Sequence, residues 1–491
     1  MKKIYFVTNV LPKIHGGRTG SLLYRAKLLN SRGQNLTIIS TNYNPNYPAV
    51  YQSFRDSKKV LHNTEFLNIY DYYKENSQTN DKILVWSEVL KEESEELSSL
   101  TQVIRSRKGG RSYYYKEGIP KYVIKESKQG IEFFAVYDEW NFNPSKYYFV
   151  NEEGLIHRID YYDVENNLTR QEFLNNQGKI YLRKKFNLKN ISEICLKKEE
   201  FISFSSEKEF IGHFFKEVFD ENDVVVNDAR FLDIPLLKTN VGKRIFQMHS
   251  SHLVDPLDND SVIKGSFSNI LNSIFPQSDT IVSLTVKQKK DILAKVPSLE
   301  KNIVVIPHST MPRKIKHQRK TNHFGIVSRL SPEKNLEDAI KGFALFVMEY
   351  PNYILDIYGD GECRQELEDL VVKLNIKDKV IFHGYVVDTD KAYQEVQNSL
   401  VTSNYEDFSL VTLEAISNGT TVITYALNYG PTDIIDEHSG WVTSERTPEA
   451  LKEKMIEAVK NPKNVEKVQQ RSLEFSEEKF INKWLELLEN N

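Results

Sequence analysis

Ser403-Asn404-Tyr405-Glu406-Asp407-Phe408-Ser409-Leu410-Val411-Thr412-Leu413-Glu414-Ala415 is the stretch that decides how this chain is read. It leaves a short apolar strand, Ser399 to Ser403, and enters a helix whose apolar residues Leu410, Leu413 and Ile416 recur at helical spacing. Seven residues separate the two glutamates. Glu406 therefore sits at the mouth of a strand-to-helix loop, and Glu414 lies about one turn into the helix. Between them come the backbone N–H groups of Ser409, Leu410 and Val411. A helix start offers unpaired donors and the positive end of the macrodipole, so it attracts phosphate. An anion, a sugar and a ribose can all be held at such a junction.

The same alternation of short apolar strands and amphipathic helices runs outward from this loop. One unit opens at Phe324-Gly325-Ile326-Val327 and continues to about residue 460. Upstream, a strand at 3–8, a helix at 20–31 and a strand at 36–41 make a βαβ unit; strands at 224–227, 244–248 and 280–284 continue it after a gap, and Ile303 to His308 closes it. The expected fold class is α/β, with two doubly wound, Rossmann-like domains. The first takes residues 1–63, 206–311 and 477–491; the second takes 321–476. A polar basic linker, Met311 to Lys320, separates them. The last helix, 477–489, carries Phe480, Ile481, Trp484, Leu485 and Leu488 on one face.

The gap, 64–205, has a different texture. Aromatic and charged residues alternate from 113 onward. Turn clusters at Asn151 to Gly154, Glu165 to Asn167 and Asn175 to Gly178 recur at intervals of about a dozen residues, as in a meander of hairpins. The expectation is an inserted antiparallel sheet over 105–205, preceded by polar helices at 81–104. A sheet with an apolar face must bury it, which points to self-association.

Composition narrows the function classes. A chain of 491 residues is long for one core. A net charge of −3 gives no global attraction to nucleic acid or anionic lipid. The two cysteines, Cys195 and Cys363, are far apart and suit a reducing cytoplasm. The apolar run at Ile4 to Val10 is too short for a signal peptide and reads as a buried first strand. No stretch approaches the ~20 apolar residues of a membrane span.

Several motifs then coincide. The Glu406/Glu414 segment resembles the E-x7-E motif of retaining GT-B glycosyltransferases, the large family 4 group. Ser328-Arg329-Leu330-Ser331-Pro332-Glu333-Lys334-Asn335 resembles that family's donor-phosphate clamp, Ile357-Tyr358-Gly359-Asp360-Gly361 its strand-end glycine loop, and Phe382-His383-Gly384-Tyr385 its nucleotide-base strand. Glu437 to Val442 resembles the loop closing the C-terminal domain, and His15-Gly16-Gly17-Arg18-Thr19 the N-terminal glycine loop. Asn428-Tyr429-Gly430-Pro431-Thr432-Asp433 and the β-rich insert are similar to the wall teichoic acid α-glycosyltransferases that modify poly(ribitol- or glycerol-phosphate). The general resemblance covers roughly residues 1–60 and 210–491.

That resemblance implies a GT-B fold and a UDP-sugar donor, with glucose or N-acetylglucosamine transferred to alditol-phosphate repeats with retention. Arg329 and Lys334 would neutralise the β-phosphate. Glu406 would act on the donor sugar, and Glu414 would accept from the ribose hydroxyls. Gly17 would admit the diphosphate. His249, and less directly His252, follow a strand end and would face the donor. Ser409, Leu410, Val411, Gly359, Tyr385, Asp407 and Phe408 complete the donor set. No metal or other cofactor is expected. The D-x-D spellings Asp258-Asn259-Asp260 and Asp388-Thr389-Asp390 lack the strand-end context of a metal site, and Asp390 reads as the N-cap of a helix from Lys391 to Asn398. Arg107, Lys108 and Arg111, with Arg183 to Lys185 and the basic linker, are candidates for an anionic teichoic acid acceptor. The expected enzyme is cytoplasmic, with peripheral association at the inner membrane face and no nucleic-acid partner. It is expected to be a homo-oligomer, a trimer. Two other readings keep the fold: an O-glycosyltransferase of serine-rich adhesins, and a non-catalytic chaperone subunit.

Overall fold

The computed structural model describes residues 2–14, 16–77, 86, 102–105, 110–127, 130–138 and 143–489. His15, Arg107 and Lys108 lie outside the described residues, as does most of the span expected as polar helices. Within that span, Gln102–Arg105 is a strand and not a helix, because it pairs antiparallel with the strand that begins at Arg111. The chain divides into two compact units. The first comprises Met1–His15, Asn35–Asp223 and Phe231–Gly242; the second comprises Gly16–Gln34, Val224–Arg230 and Lys243–Asn491.

In the first unit, β1 (Ile4–Thr8), β2 (Leu36–Ser40) and β3 (Glu65–Asn68) pair in parallel, with Ile4 opposite Leu36 and Thr37 opposite Glu65. β3 falls inside the span expected as insert, yet it extends the parallel run. The β-rich region follows as a ten-stranded antiparallel meander in sequence order: β4 (Gln102–Arg105), β5 (Arg111–Lys116), β6 (Ile119–Ser127), β7 (Gly130–Tyr137), β8 (Pro144–Val150), β9 (Ile156–Tyr162), β10 (Leu168–Leu174), β11 (Ile180–Asn187), β12 (Asn190–Lys197) and β13 (Phe201–Phe204).

The turns explain the meander. Asn151, Asp163 and Asn175 each accept two backbone N–H bonds through the side chain, from the residues two and four positions on. The short polar side chain thereby mimics a backbone turn. Both faces of this sheet carry apolar clusters. Ile124, Phe134, Tyr148, Ile156 and Leu174 fill one, while Val123, Phe133 and Ala135 lie on the other among Tyr113, Tyr137, Tyr147 and Phe149.

In the second unit, β14 (Val224–Asn227), β15 (Lys243–Gln247), β16 (Thr280–Ser283) and β17 (Ile303–Val305) are parallel. A second parallel sheet holds β18 (His323–Val327), β19 (Ile354–Tyr358), β20 (Val380–Gly384), β21 (Asn398–Val401), β22 (Thr421–Thr424) and β23 (Gly440–Val442). Its order is β20-β19-β18-β21-β22-β23, so the winding reverses between β18 and β21. Crossover helices bury both faces: Ala339, Ile340, Phe343 and Phe346 of the helix Leu336–Val347 belong to one core with Phe324, Leu355, Leu400 and Val422. Ligands of such sheets bind beyond the carboxyl ends of the strands, at the reversal. The segments leaving β18 and β21 there are Ser328-Arg329 and Thr402 to Glu406. The helix Glu477–Glu489 packs against the helix Gly17–Ser31, with the Arg25 guanidinium 4.6 Å from the Trp484 ring centre.

Candidate active site

All the donor-side candidates lie in the second unit. Beyond β18, the chain makes one 3₁₀ turn, Pro332–Lys334, then passes through Asn335 at φ 48° into its helix. Gly359 leaves β19 at φ +148°, and a Cβ there would stand 1.8 Å from the Ser328 carbonyl oxygen. A Cβ on Gly361 would meet the Leu330 oxygen at 2.3 Å. The two glycines thus let the clamp loop close down on the strand end.

The clamp lysine and the motif glutamate are already joined. Lys334 Nζ lies 2.7 Å from Glu406 Oε1, which also accepts from Ser403 Oγ at 2.7 Å. Asn404 N donates to Glu333 O, and Thr402 Oγ1 to Lys334 O, so one backbone bond and one side-chain bond lace the two loops together. Arg329 is not gathered in. Its side chain is 75 % exposed and its Nη2 lies 3.0 Å from Glu333 Oε1.

The helix Leu410–Ser417 starts at Ser409, which adopts φ 68° and gives no side-chain cap to the first turn. Ser409 Oγ is hydrogen-bonded to Thr412 Oγ1 instead. The helix Gly17–Ser31 also begins without a side-chain cap, at Gly16, three residues earlier than the expected start at 20. A Cβ on Gly17 would touch Leu410 Cδ1 at 3.6 Å. Two open helix N-termini therefore meet beside the Lys334–Glu406 pair, and each favours an anion.

Carboxylates near this point are held away from their usual charge. Asp407 is pushed up to about 7 by burial and by the adjacent Glu406. Glu414 is also pushed up to about 7, by burial and by Asp390, with Arg313 pulling the other way. Glu414 thus lies among Asp390, Tyr393 and Arg313 rather than in the Lys334–Glu406 contact. Tyr385 is 76 % exposed at the end of β20. Next to it, His383 stacks on Tyr358 at 4.3 Å, and Asp356 joins His383 to His323.

The two histidines after β15 differ. His249 Nε2 is 2.6 Å from Asp228 Oδ1, and its ring lies parallel to that of His308, which meets the face or edge of Phe408 at 5.2 Å and 88°. Burial lowers the His249 pKa against the opposing pull of Asp228. His252 is fully buried against Tyr429, and burial lowers it to about 4. Sequence reading missed Asp228, Arg25 and His308. Asp228 directly follows β14, a strand-end position that could have flagged it; Arg25 sits inside a helix with nothing local to mark it.

One sequence reading is corrected. The helix expected from Lys391 is Thr389–Glu395, and its N-cap is Asp388, whose side chain accepts from Lys391 N. Asp390 instead accepts from Asn418 Nδ2 and lies 3.4 Å from Arg313 Nε. Among the described residues, no group of three or more His, Cys, Asp and Glu is arranged to hold a metal ion.

A cation clipped to a carboxylate thus lies beside two helix starts, at the reversal of a parallel sheet. The two Rossmann-like parallel sheets are the architecture of the GT-B fold. Residues 308–475 match the family described as Glycosyl transferases group 1. Over its length the chain is similar to the poly(glycerol-phosphate) alpha-glucosyltransferase of Bacillus subtilis (24 % identity, covering 98 % of this chain and 74 % of that protein). It is likewise similar to the poly(ribitol-phosphate) alpha-N-acetylglucosaminyltransferase of Staphylococcus aureus (23 %, covering 99 % of each). A mutant of S. aureus TarM, solved with fondaparinux, alpha-GlcNAc-glycerol and UDP, shares the fold at a TM-score of 0.87 and 21 % identity over 100 % of both chains. The pneumococcal O-GlcNAc transferase GtfA, solved with UDP and GlcNAc, shares it at 0.77 and 17 %, covering 99 % of this chain and 98 % of that one.

Proposed function

We propose that this protein is a retaining, UDP-sugar-dependent hexosyltransferase that moves glucose or N-acetylglucosamine onto the alditol-phosphate repeats of wall teichoic acid, in α linkage. The observation that carries the reading is the Lys334–Glu406 pair beside the open starts of the helices Gly17–Ser31 and Leu410–Ser417. As the UDP leaves, negative charge grows on its β-phosphate. Lys334, Arg329 and the helix N–H groups supply preorganised positive charge there. Donor binding would draw Lys334 from Glu406 to phosphate, freeing that carboxylate for the sugar. Arg329 would leave Glu333 in the same step.

The similarity of the teichoic acid enzymes over 98–99 % of this chain supports the acceptor. The GtfA subunit of Streptococcus parasanguinis, a UDP-N-acetylglucosamine–peptide transferase, is similar over 58 % of the chain and supports a protein acceptor less well. Charge neutralisation by Arg329 and Lys334 makes a metal-free reaction the natural reading. The antiparallel sheet is proposed as the surface through which copies associate into a trimer, raising effective concentration on a long polymer. No described helix is long and apolar enough to cross a membrane, so work at the inner membrane face would be peripheral.

The test is to incubate the protein with purified ribitol- and glycerol-phosphate polymers and a panel of UDP-sugars, measuring UDP release and polymer glycosylation. Transfer to peptide but not to polymer would overturn the acceptor. Activity lost to chelator and restored by Mn²⁺ would overturn the metal-free reaction.

A further inference from the structure

Asp228 stands at the carboxyl end of β14 with no exposed surface to speak of, yet it carries charge. Burial opposes that charge, and Arg25 and His249 together hold its carboxyl below the usual range. Arg25 Nη2 lies 2.5 Å from Asp228 Oδ2, and both side chains are at most 2 % exposed. Arg25 is itself anchored: its Nη1 donates to Gln247 Oε1 at 3.3 Å, and its guanidinium lies on the Trp484 ring. A buried pair of this kind is a costly way to gain stability, because both ions must be desolvated. The remaining oxygen, Oδ1, is 2.6 Å from His249 Nε2.

An ionised carboxylate can only accept. His249 must therefore donate from Nε2, and in the neutral ring Nδ1 is left as a lone-pair acceptor. The charged groups facing the ring are Asp228 and Arg230 from the segment after β14 and Arg25 from the helix Gly17–Ser31; the titratable His308, from the segment after β17, is kept neutral by burial. Burial, Arg25 and Arg230 favour the neutral ring, and only Asp228 opposes them. The arrangement therefore gives a neutral imidazole in a single tautomer, held in plane by the carboxylate and flanked by the His308 ring at 6.4 Å.

We propose that Asp228 is the positioning residue of His249: anchored by Arg25, it fixes the tautomer whose Nδ1 accepts a hydrogen bond from a hydroxyl of the donor sugar. The proposal rests on the reading that His249 meets the donor. Arg25 is part of the same device, since it keeps Asp228 ionised and fixes the carboxylate plane.

The test compares Asp228→Asn, His249→Ala and the double variant, in kcat and KM for the UDP-sugar, in UDP affinity, and in the imidazole ¹⁵N spectrum. An amide at 228 can donate to Nε2 and so admit the wrong tautomer, as happens when the orienting carboxylate of a Ser-His-Asp triad becomes an amide. Asp228→Asn is expected to lower kcat about 10- to 100-fold, the scale of one misplaced charged hydrogen bond. UDP affinity should stay within about threefold, and the double variant should be no slower than His249→Ala alone. The His249 resonances, identified by their loss in His249→Ala, should show the Nε2–H tautomer in the unaltered protein and a mixture in Asp228→Asn. Losses that multiply in the double variant would overturn the proposal while leaving His249 at the donor. A His249→Ala protein of undiminished kcat would overturn the reading beneath it. Should Asp228→Asn not fold, the spectrum of the unaltered protein still decides, because an Nδ1–H tautomer there is incompatible with the proposal.

Discussion

The parallel sheet β18–β23 and the antiparallel meander β4–β13 are products of one chain, but they handle polar groups in opposite ways. In the parallel sheet both faces are covered by helices, so polar chemistry collects at the carboxyl ends of the strands. There Arg329, Lys334, Ser403 and Glu406 leave neighbouring strands at the reversal of the order. In the meander the polar groups are spread along the strands and paired across them: Arg183 with Glu172, Lys185 with Glu193 and Gln171 with Asp160. A sheet of the first kind concentrates function in a few side chains. A sheet of the second kind spreads it over a surface, where single residues carry little. The comparison predicts a steep difference in sensitivity to substitution.

The largest loss is expected at the concentrated end. Glu406→Ala and Lys334→Ala should each reduce transfer by about 100- to 1,000-fold, as when one preorganised partner of a developing charge is removed. Glu406→Ala should leave UDP affinity within a few-fold, because the role proposed for that carboxylate is on the sugar. Steady-state kinetics and UDP titration read both effects, and near-normal turnover in either variant would break the assignment of chemistry to this strand end.

A backbone change comes next. Gly359→Ala places a Cβ into the Ser328 oxygen at a φ that L residues avoid, so the clamp loop must shift. The expected cost is about 1–3 kcal/mol of stability, with weaker donor binding. Denaturant unfolding with and without UDP measures both. A smaller effect follows from Asp407, whose carboxyl is raised to about 7 by burial and by Glu406. A raised carboxyl pKa stabilises the fold at low pH, and that contribution is lost as pH rises through about 7. The unliganded protein should therefore lose stability between about pH 4 and about pH 7. Glu414, raised likewise, adds to the same slope, so Asp407→Asn should reduce it without abolishing it, and an unchanged slope would show that Asp407 makes no contribution.

The sensitivity contrast also explains what could be read from the sequence. Strand ends and glycines leave local signatures, so Arg329, Lys334, Gly359 and the Glu406/Glu414 pair stood out, as did the turns at Asn151 to Gly154, Glu165 to Asn167 and Asn175 to Gly178. Contacts between distant segments leave none. Arg25 and Asp228 are 203 positions apart, and nothing in either neighbourhood announces the other. The choice of N-cap between Asp388 and Asp390 depended on where one helical turn began, a two-residue question that propensity does not resolve. Nor did alternation along the insert reveal that both faces are apolar. Bulky residues such as Tyr113, Phe133 and Tyr147 fall on one face and Phe134 and Tyr148 on the other, so the period-two pattern is blurred.

The smallest effect is expected in the meander, and it tests the other half of the comparison. Arg111 begins β5, and its guanidinium stands 5.8 Å from the Phe133 ring centre, on the face with Tyr113 and Tyr147. An anionic polymer lying across that face would meet a cation beside aromatic rings. At about 0.1 M salt the screening length is about 10 Å, so one exposed cation adds little to a long, many-point contact. Arg111→Ala should therefore raise the KM for long polymer only about two- to threefold at that salt, the scale of an exposed charge pair. The effect should grow at low ionic strength and vanish for an acceptor of one or two repeats, whose binding stays at the donor site. Kinetics across polymer lengths and salt concentrations would show it. A loss that is large, independent of salt and equal for short acceptors would place Arg111 at the reacting centre, and the division between a concentrated and a distributed sheet would fall.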